Sequence, residues 1–173
     1  VLFRSFLERA AQRLFDLGRR RVAVIVIDRR PASFTATATR VLAQKKLYCP
    51  PHWVLAASLE NPHWVTPLIQ LLMSLPERQR PDGLILTDQN HTAPALASLS
   101  EIGCQLPRDL TVIAHCNFPL LEQHDAPVTW LGYDVAWGLR QCMTNIDDLR
   151  AGREPRRRTR LQACFADELT RRA

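Results

Sequence analysis

The sequence predicts an α/β fold built on a doubly wound parallel sheet. Three observations predict it. Short apolar runs of strand length alternate with segments of helical spacing along most of the 173 residues, the pattern of parallel strands joined by helices. The first strand candidate, Val22–Ile27 (VAVIVI), is continuously apolar and rich in β-branched residues, as a strand covered on both faces requires. Residues 81–119 read as strand, polar tip, helix, Pro-Arg-Asp turn, strand and second polar tip. Parallel strands joined by a helix carry both tips at one sheet edge. In open α/β sheets that edge, at the carboxyl ends of the strands, is where ligands bind.

The elements follow in order. Residues 6–17 place apolar side chains at 6, 7, 10, 11, 14, 15 and 17, a helical spacing closed by Gly18 as C-cap. Arg19, Arg20 and Arg21 then sit at the negative end of that helix. After the strand at 22–27 and a loop at 28–34, Ser33 or Thr35 caps a helix to about residue 46. Pro50-Pro51 leads to a short strand at 53–57, a polar tip at 58–63 and a helix at 65–75. A charged loop at 77–81 precedes the strand at 83–87, the tip at 87–91 and a helix at 92–102, whose Pro94 falls in the first turn, where a missing N–H costs little. A strand at 111–114 and a tip at 115–117 follow. A short extended piece at 127–131, a helix at 135–149 ended by Gly152, and a last strand at 161–165 complete the chain.

The chain is long enough for one domain with a real core. Its longest apolar runs are strand-sized, far below the roughly 20 residues that span a bilayer. The first residues lack the apolar core of a signal peptide and do not begin with Met, so the start of the gene product is read as absent. The net charge of +6 is local, in residues 19–21 and in six arginines between 150 and 160. Gly152, Pro155 and the lack of interleaved aromatics mark the second cluster as a solvated linker. Cysteines 49, 104, 116, 142 and 164 have neither metal-ligand nor redox spacing and read as reduced cytosolic thiols. Histidines 52, 63, 91, 115 and 124 show no i, i+4 pairing with a carboxylate, and no glycine-rich phosphate loop is present. His115 and Cys116 are neighbours on a strand, so they point to opposite faces and do not form a nucleophile–base pair. No catalytic set, metal site or cofactor is implied.

Several segments, in order and at matching spacing, resemble the effector-binding domain of the LacI/GalR family of bacterial transcriptional regulators. They are Leu17-Gly18-Arg19-Arg20-Arg21-Val22-Ala23, Asp82-Gly83-Leu84-Ile85, Leu99 with Gly103, and Leu106-Pro107-Arg108-Asp109-Leu110-Thr111-Val112-Ile113. Pro127-Val128-Thr129, Gly138 and Gly152 complete the set, which covers residues 6–169. The resemblance implies a periplasmic-binding-protein-like type I fold, with effector held between two lobes and a helix-turn-helix ahead of them. By that pattern residues 6–116 and 161–169 form the C-terminal effector-binding subdomain. Residues 117–160 form the crossover and a remnant of the N-terminal subdomain, with 127–151 belonging to that other lobe. The DNA-binding module and most of the first lobe are then absent. Residues 1–5 match nothing in the family and read as a non-native leader. The helix at 135–149 would be orphaned, with Val135, Leu139, Met143, Ile146 and Leu149 open to self-association.

The same resemblance assigns the site. Asp88 and Gln89 stand where the family has Asn-Asp, whose first member contacts effector; Asp88 serves equally as a helix cap. Cys116 and Asn117 stand where Asp-Asp or Asp-Asn is usual, with His115 in an aromatic slot. Phe34 occupies the place of a sugar-gripping Arg, and Trp64 lies near a ligand-stacking position. The function implied is that of a cytoplasmic ligand-sensing domain. Its partners would be a small-molecule effector (a sugar or related metabolite), a second copy in a homodimer, and operator DNA only through the missing module, with no membrane. The alternatives are a solute-binding protein of a transport system, which shares the fold, and an enzyme on a similar scaffold.

Overall fold

The computed structural model describes residues 2–27, 33–119 and 127–169. Helix α1 (Leu2–Asp16) opens the chain. Its Phe6, Leu7, Ala10, Ala11 and Leu14 are all fully buried, one stripe at steps of three and four that packs on a sheet. The helix starts ahead of the stripe predicted at residue 6, because Phe3 has its own partners: its ring lies 4.7 Å from that of Phe34 and 5.5 Å from that of Phe6. Gly18 ends the turn at φ +79°, a left-handed position that suits glycine.

The remaining elements are β1 (Val22–Ile27), α2 (Ser33–Gln44), β2 (Val54–Ala57), α3 (Val65–Met73), β3 (Gly83–Leu86), α4 (Thr92–Glu101), β4 (Thr111–Phe118), β5 (Val128–Asp134), α5 (Val135–Arg150), β6 (Cys164–Phe165) and α6 (Ala166–Leu169). Among the described residues the strands form one six-stranded sheet in the order β2-β1-β3-β4-β5-β6. All pairings are parallel except the last, β5 with β6. The fold is the α/β class the sequence predicts, a parallel sheet with one antiparallel strand at its edge.

Alternation along β1 explains its unbroken apolar run. Val22, Val24 and Val26 face a core shared with α1 and α2. Ala23 and Ile25 face a second core with Val65, Ile69 and Leu72 of α3 and Ala95 and Leu99 of α4. Both faces are covered, so neither parity tolerates a polar residue.

Two sequence expectations change at β4 and β5. The strand expected at 111–114 continues to Phe118, because β5 pairs with it from Val112↔Val128 to Phe118↔Asp134. His115, Cys116 and Asn117 are therefore strand residues with alternating faces, not a free tip. The extended piece expected at 127–131 is a seven-residue strand of this same sheet. The reading that gave 127–151 to the other lobe placed it outside; the pairing with β4 brings residues 128–134 in. Trp53 closes a short 3-10 turn (Pro51–Trp53) ahead of β2 rather than opening the strand. The loop expected at 28–34 lies mostly outside the described residues.

After β5 the chain leaves the sheet. Helix α5 has no buried residue, and Leu139, Met143, Ile146 and Leu149 are 62%, 57%, 42% and 61% exposed. The arginine-rich linker after it is exposed, with Arg153 paired to Asp148 and Arg157 to Glu154. The chain returns at β6 and is clasped to α1: Arg9 pairs with Glu168 and donates to the Ala163 carbonyl, and Arg13 lies 4.0 Å from the Phe165 ring centroid.

Candidate functional site

Strand order fixes where a ligand can sit. From β1 the chain passes through α2 to β2 on one side, then through α3 on the opposite face back across β1 to β3. The direction reverses between β1 and β3, and such a switch point opens a crevice at the carboxyl ends of the strands. The β1 side of that crevice, residues 28–32, lies outside the described residues. The β3 side is the turn from Thr87 to His91.

Asp88 is the cap of that turn. Its backbone is extended, and its Oδ1 accepts from the Asn90 backbone N–H at 3.0 Å and from Asn90 Nδ2 at 2.9 Å. Both bonds fall on one oxygen, so Oδ2 has no partner among the described residues and is open to a donor. Gln89 follows, half-buried, in the short 3-10 turn Gln89–His91 that leads into α4. Leu86 pairs with Ala114, so Asp88 and Cys116 each lie two residues beyond that pair, at the same sheet edge.

The other predicted residues divide between the faces. His115 points to the α1 and α2 side, its ring 5.5 Å from Phe6 and 5.8 Å from Tyr133. Asn117, two residues on, is exposed. Phe34 is buried in the core between α1 and α2 against Phe3. Cys116 points the other way, fully buried with Phe118 and Cys164. Burial, with the neighbouring Cys164 adding to it, pushes its thiol up to about 12, so it is protonated and faces away from His115. Trp64 is 62% exposed beside a shallow hollow of about 270 Å³ formed with Asn61, His63 and Pro67. The structure thus gathers Asp88 and Gln89 in one turn and sets His115 and Asn117 on one face of β4. Cys116 and Phe34 lie in core, and Trp64 stands apart.

Sequence reading places His91 in the tip at 87–91 but gives it no role. It is fully buried, and its Nε2 lies 3.2 Å from the Ser58 carbonyl, which ties the start of α4 to the tip after β2. Its Nδ1 and the hydroxyls of Thr87 and Thr92 are buried without a partner among the described residues. The signal was its place: a histidine closing a strand tip at a helix start, where α3 and α4 meet. Counting histidines for metal spacing passes over it.

The arrangement offers polar groups to a ligand: the free carboxylate oxygen of Asp88 and the amides of Gln89 and Asn117. Among the described residues no nucleophile–base pair is assembled, and no three His, Cys, Asp or Glu side chains gather as metal ligands. No described helix is long and apolar enough to cross a membrane.

A periplasmic binding protein-like domain model matches residues 11–172. No curated protein matches the chain. Among solved structures, a regulatory protein of the LacI family from Chloroflexus aggregans superposes with a TM-score of 0.75 at 19% identity, covering 88% of this chain and 55% of that one. The Escherichia coli transcriptional repressor ascG gives 0.79 at 13% identity, over 95% and 60%. A LacI family transcriptional regulator from Lactobacillus casei with bound glucose gives 0.70 at 17% identity, over 95% and 61%. At these identities the likeness is one of fold, and the chain spans less than two thirds of each.

Proposed function

The chain belongs to the periplasmic binding protein-like domain family, and from that premise we propose that it is the effector-sensing lobe of a LacI/GalR-type transcriptional regulator. One observation carries the reading. Between β5 and β6 the chain leaves the sheet, forms a 16-residue helix with no buried residue, and returns. A lobe that lends a helix to a second lobe has this form, and the strands at either end of that helix are its hinge. Ligand held at the carboxyl edge between two lobes favours one arrangement over the other by its difference in affinity, and DNA-binding heads on the moving lobe would read that difference.

In this reading Asp88 contacts effector through Oδ2, with Gln89, Asn117 and His115 beside it. Phe34 and Cys116 support the edge from the core behind it, and Trp64 flanks it. The effector is a polar small molecule such as a sugar, the class for which a carboxylate acceptor among amides is suited; the L. casei regulator's bound glucose supports that class. The assembled protein is a cytoplasmic homodimer that meets operator DNA through another module, and it is not an enzyme. The structures most alike in fold are regulators, which supports sensing over transport. The coding sequence upstream tests this: a helix-turn-helix is the expected result, and a signal peptide would overturn it in favour of a transport binding protein.

A further inference from the structure

A cavity of about 690 Å³ lies away from the carboxyl edge. It lies at the amino ends of β1, β3 and β4, walled by Arg19 and Arg21 before β1, by Glu77, Arg80 and Asp82 before β3, and by Arg108 and Asp109 before β4. Four arginines thus meet three carboxylates, and their pairing shows where charge is left over.

Two of the four are neutralised. Arg21 Nη2 lies 3.4 Å from Asp82, whose Oδ1 also accepts the backbone N–H groups of Arg20 and Arg21 at 2.9 and 2.8 Å. Arg108 Nε donates to Asp109 at 2.8 Å, and that bond, with the Gln105 N–H, holds the Asp109 carboxyl below its usual range. The other two hydrogen-bond only to neutral groups, although the Arg19 charge also helps to lower the Asp109 carboxyl. Arg19 donates to the Thr111 hydroxyl at 2.8 Å and to the carbonyls of Pro107 and Arg108. Arg80 donates Nε to the Leu75 carbonyl at 2.5 Å. That bond fixes the guanidinium and leaves both Nη groups without a partner among the described residues. A fixed guanidinium with two free N–H groups in one plane is the fork that grips a phosphate or carboxylate in bidentate fashion.

We propose that this cavity is an anion site, distinct from the effector edge, that takes a phosphorylated small molecule through Arg80 with Arg19 behind it. The size decides between a bare ion and a larger ligand: small-molecule sites run from about 300 to 1,000 Å³, so the space holds a phosphate group together with the metabolite that bears it. The mainly charged wall selects a polar body. Glu77, on the same wall, has no cationic partner among the described residues and opposes the anion, so affinity is set by Arg80 against Glu77.

Calorimetric titration of the full chain with inorganic phosphate and with pyrophosphate, at low ionic strength, tests this. Saturable binding is expected, tighter for pyrophosphate. Arg80→Ala should weaken it about tenfold or more, the scale of a lost charge-assisted pair. Glu77→Gln, a change at an exposed residue, should tighten it severalfold. No saturable binding of either anion at millimolar concentration overturns the proposal, as does an unchanged Kd in Arg80→Ala. Should Arg80→Ala lose its folded circular dichroism, Glu77→Gln decides alone, and an unchanged Kd there also overturns it.

Discussion

Asp88 has two roles that substitution separates. As a cap it satisfies the Asn90 N–H through Oδ1, and as a proposed ligand contact it offers Oδ2. Asp88→Ala removes both and is expected to cost about 1 kcal/mol of stability together with effector binding. Asp88→Ser keeps a capping oxygen but withdraws the carboxylate. Its urea midpoint should stay near that of the parent while effector binding is lost; retained binding would leave Asp88 a cap alone. The thiols give a second expectation. Burial pushes Cys49 from 9.0 to about 12, and burial with Cys164 does the same to Cys116. Folding thus favours the protonated thiols. Their contribution is whole below the unfolded value near 9 and is lost as pH rises through about 12. In the native protein at pH 8, iodoacetamide should modify exposed Cys142 and leave Cys49 and Cys116 intact, as read by peptide mass spectrometry. Labelling all three at equal rates would contradict their burial.

At the scale of elements, β5 and α5 are most open to test. A side chain at Gly132 would place its Cβ 1.7 Å from the Cys116 carbonyl oxygen, on the backbone of the neighbouring strand. Gly132→Ala therefore forces β4 and β5 apart and belongs among the severely destabilising substitutions, above about 4 kcal/mol. A thermal midpoint near that of the parent would show that the strands do not touch there. Helix α5 presents Leu139, Met143, Ile146 and Leu149 together at helical spacing, all exposed. Such a face drives association in water. The isolated chain should form concentration-dependent oligomers in light scattering, and Leu139→Lys with Met143→Lys should shift it toward monomer. A clean monomer of the parent at high concentration would count against the exposed face.

At the scale of the whole molecule, what the sequence made legible follows from range. Val22–Ile27, the turn that Asp88 caps, and α1 with its Gly18 terminus rest on local periodicity and capping, and these signals lie within a few residues. The length of β4 does not: His115, Cys116 and Asn117 read as a polar tip until β5, arriving from residue 128, pairs with them. The family resemblance puts Phe34 at the ligand edge, and its packing against Phe3 on another helix, which local sequence does not show, sets it in the core behind that edge. The helix dipole accounts for Arg20 of the Arg19–Arg21 cluster, bonded to the Phe15 carbonyl at the end of α1. Arg19 and Arg21 answer instead to residues 107–111 and 80–82, distant in sequence.

We propose that the carboxyl edge at Asp88 holds a polar effector between this lobe and a second one. A thermal-shift screen of mono- and disaccharides on the two-lobed protein, run beside its Asp88→Ala variant, tests it most directly. Ligand at a hundred times its Kd stabilises by about 2.7 kcal/mol, enough to raise Tm by several degrees. Such a rise is expected for at least one sugar, together with its loss in Asp88→Ala. No rise with any sugar, or an equal rise in both proteins, would contradict it.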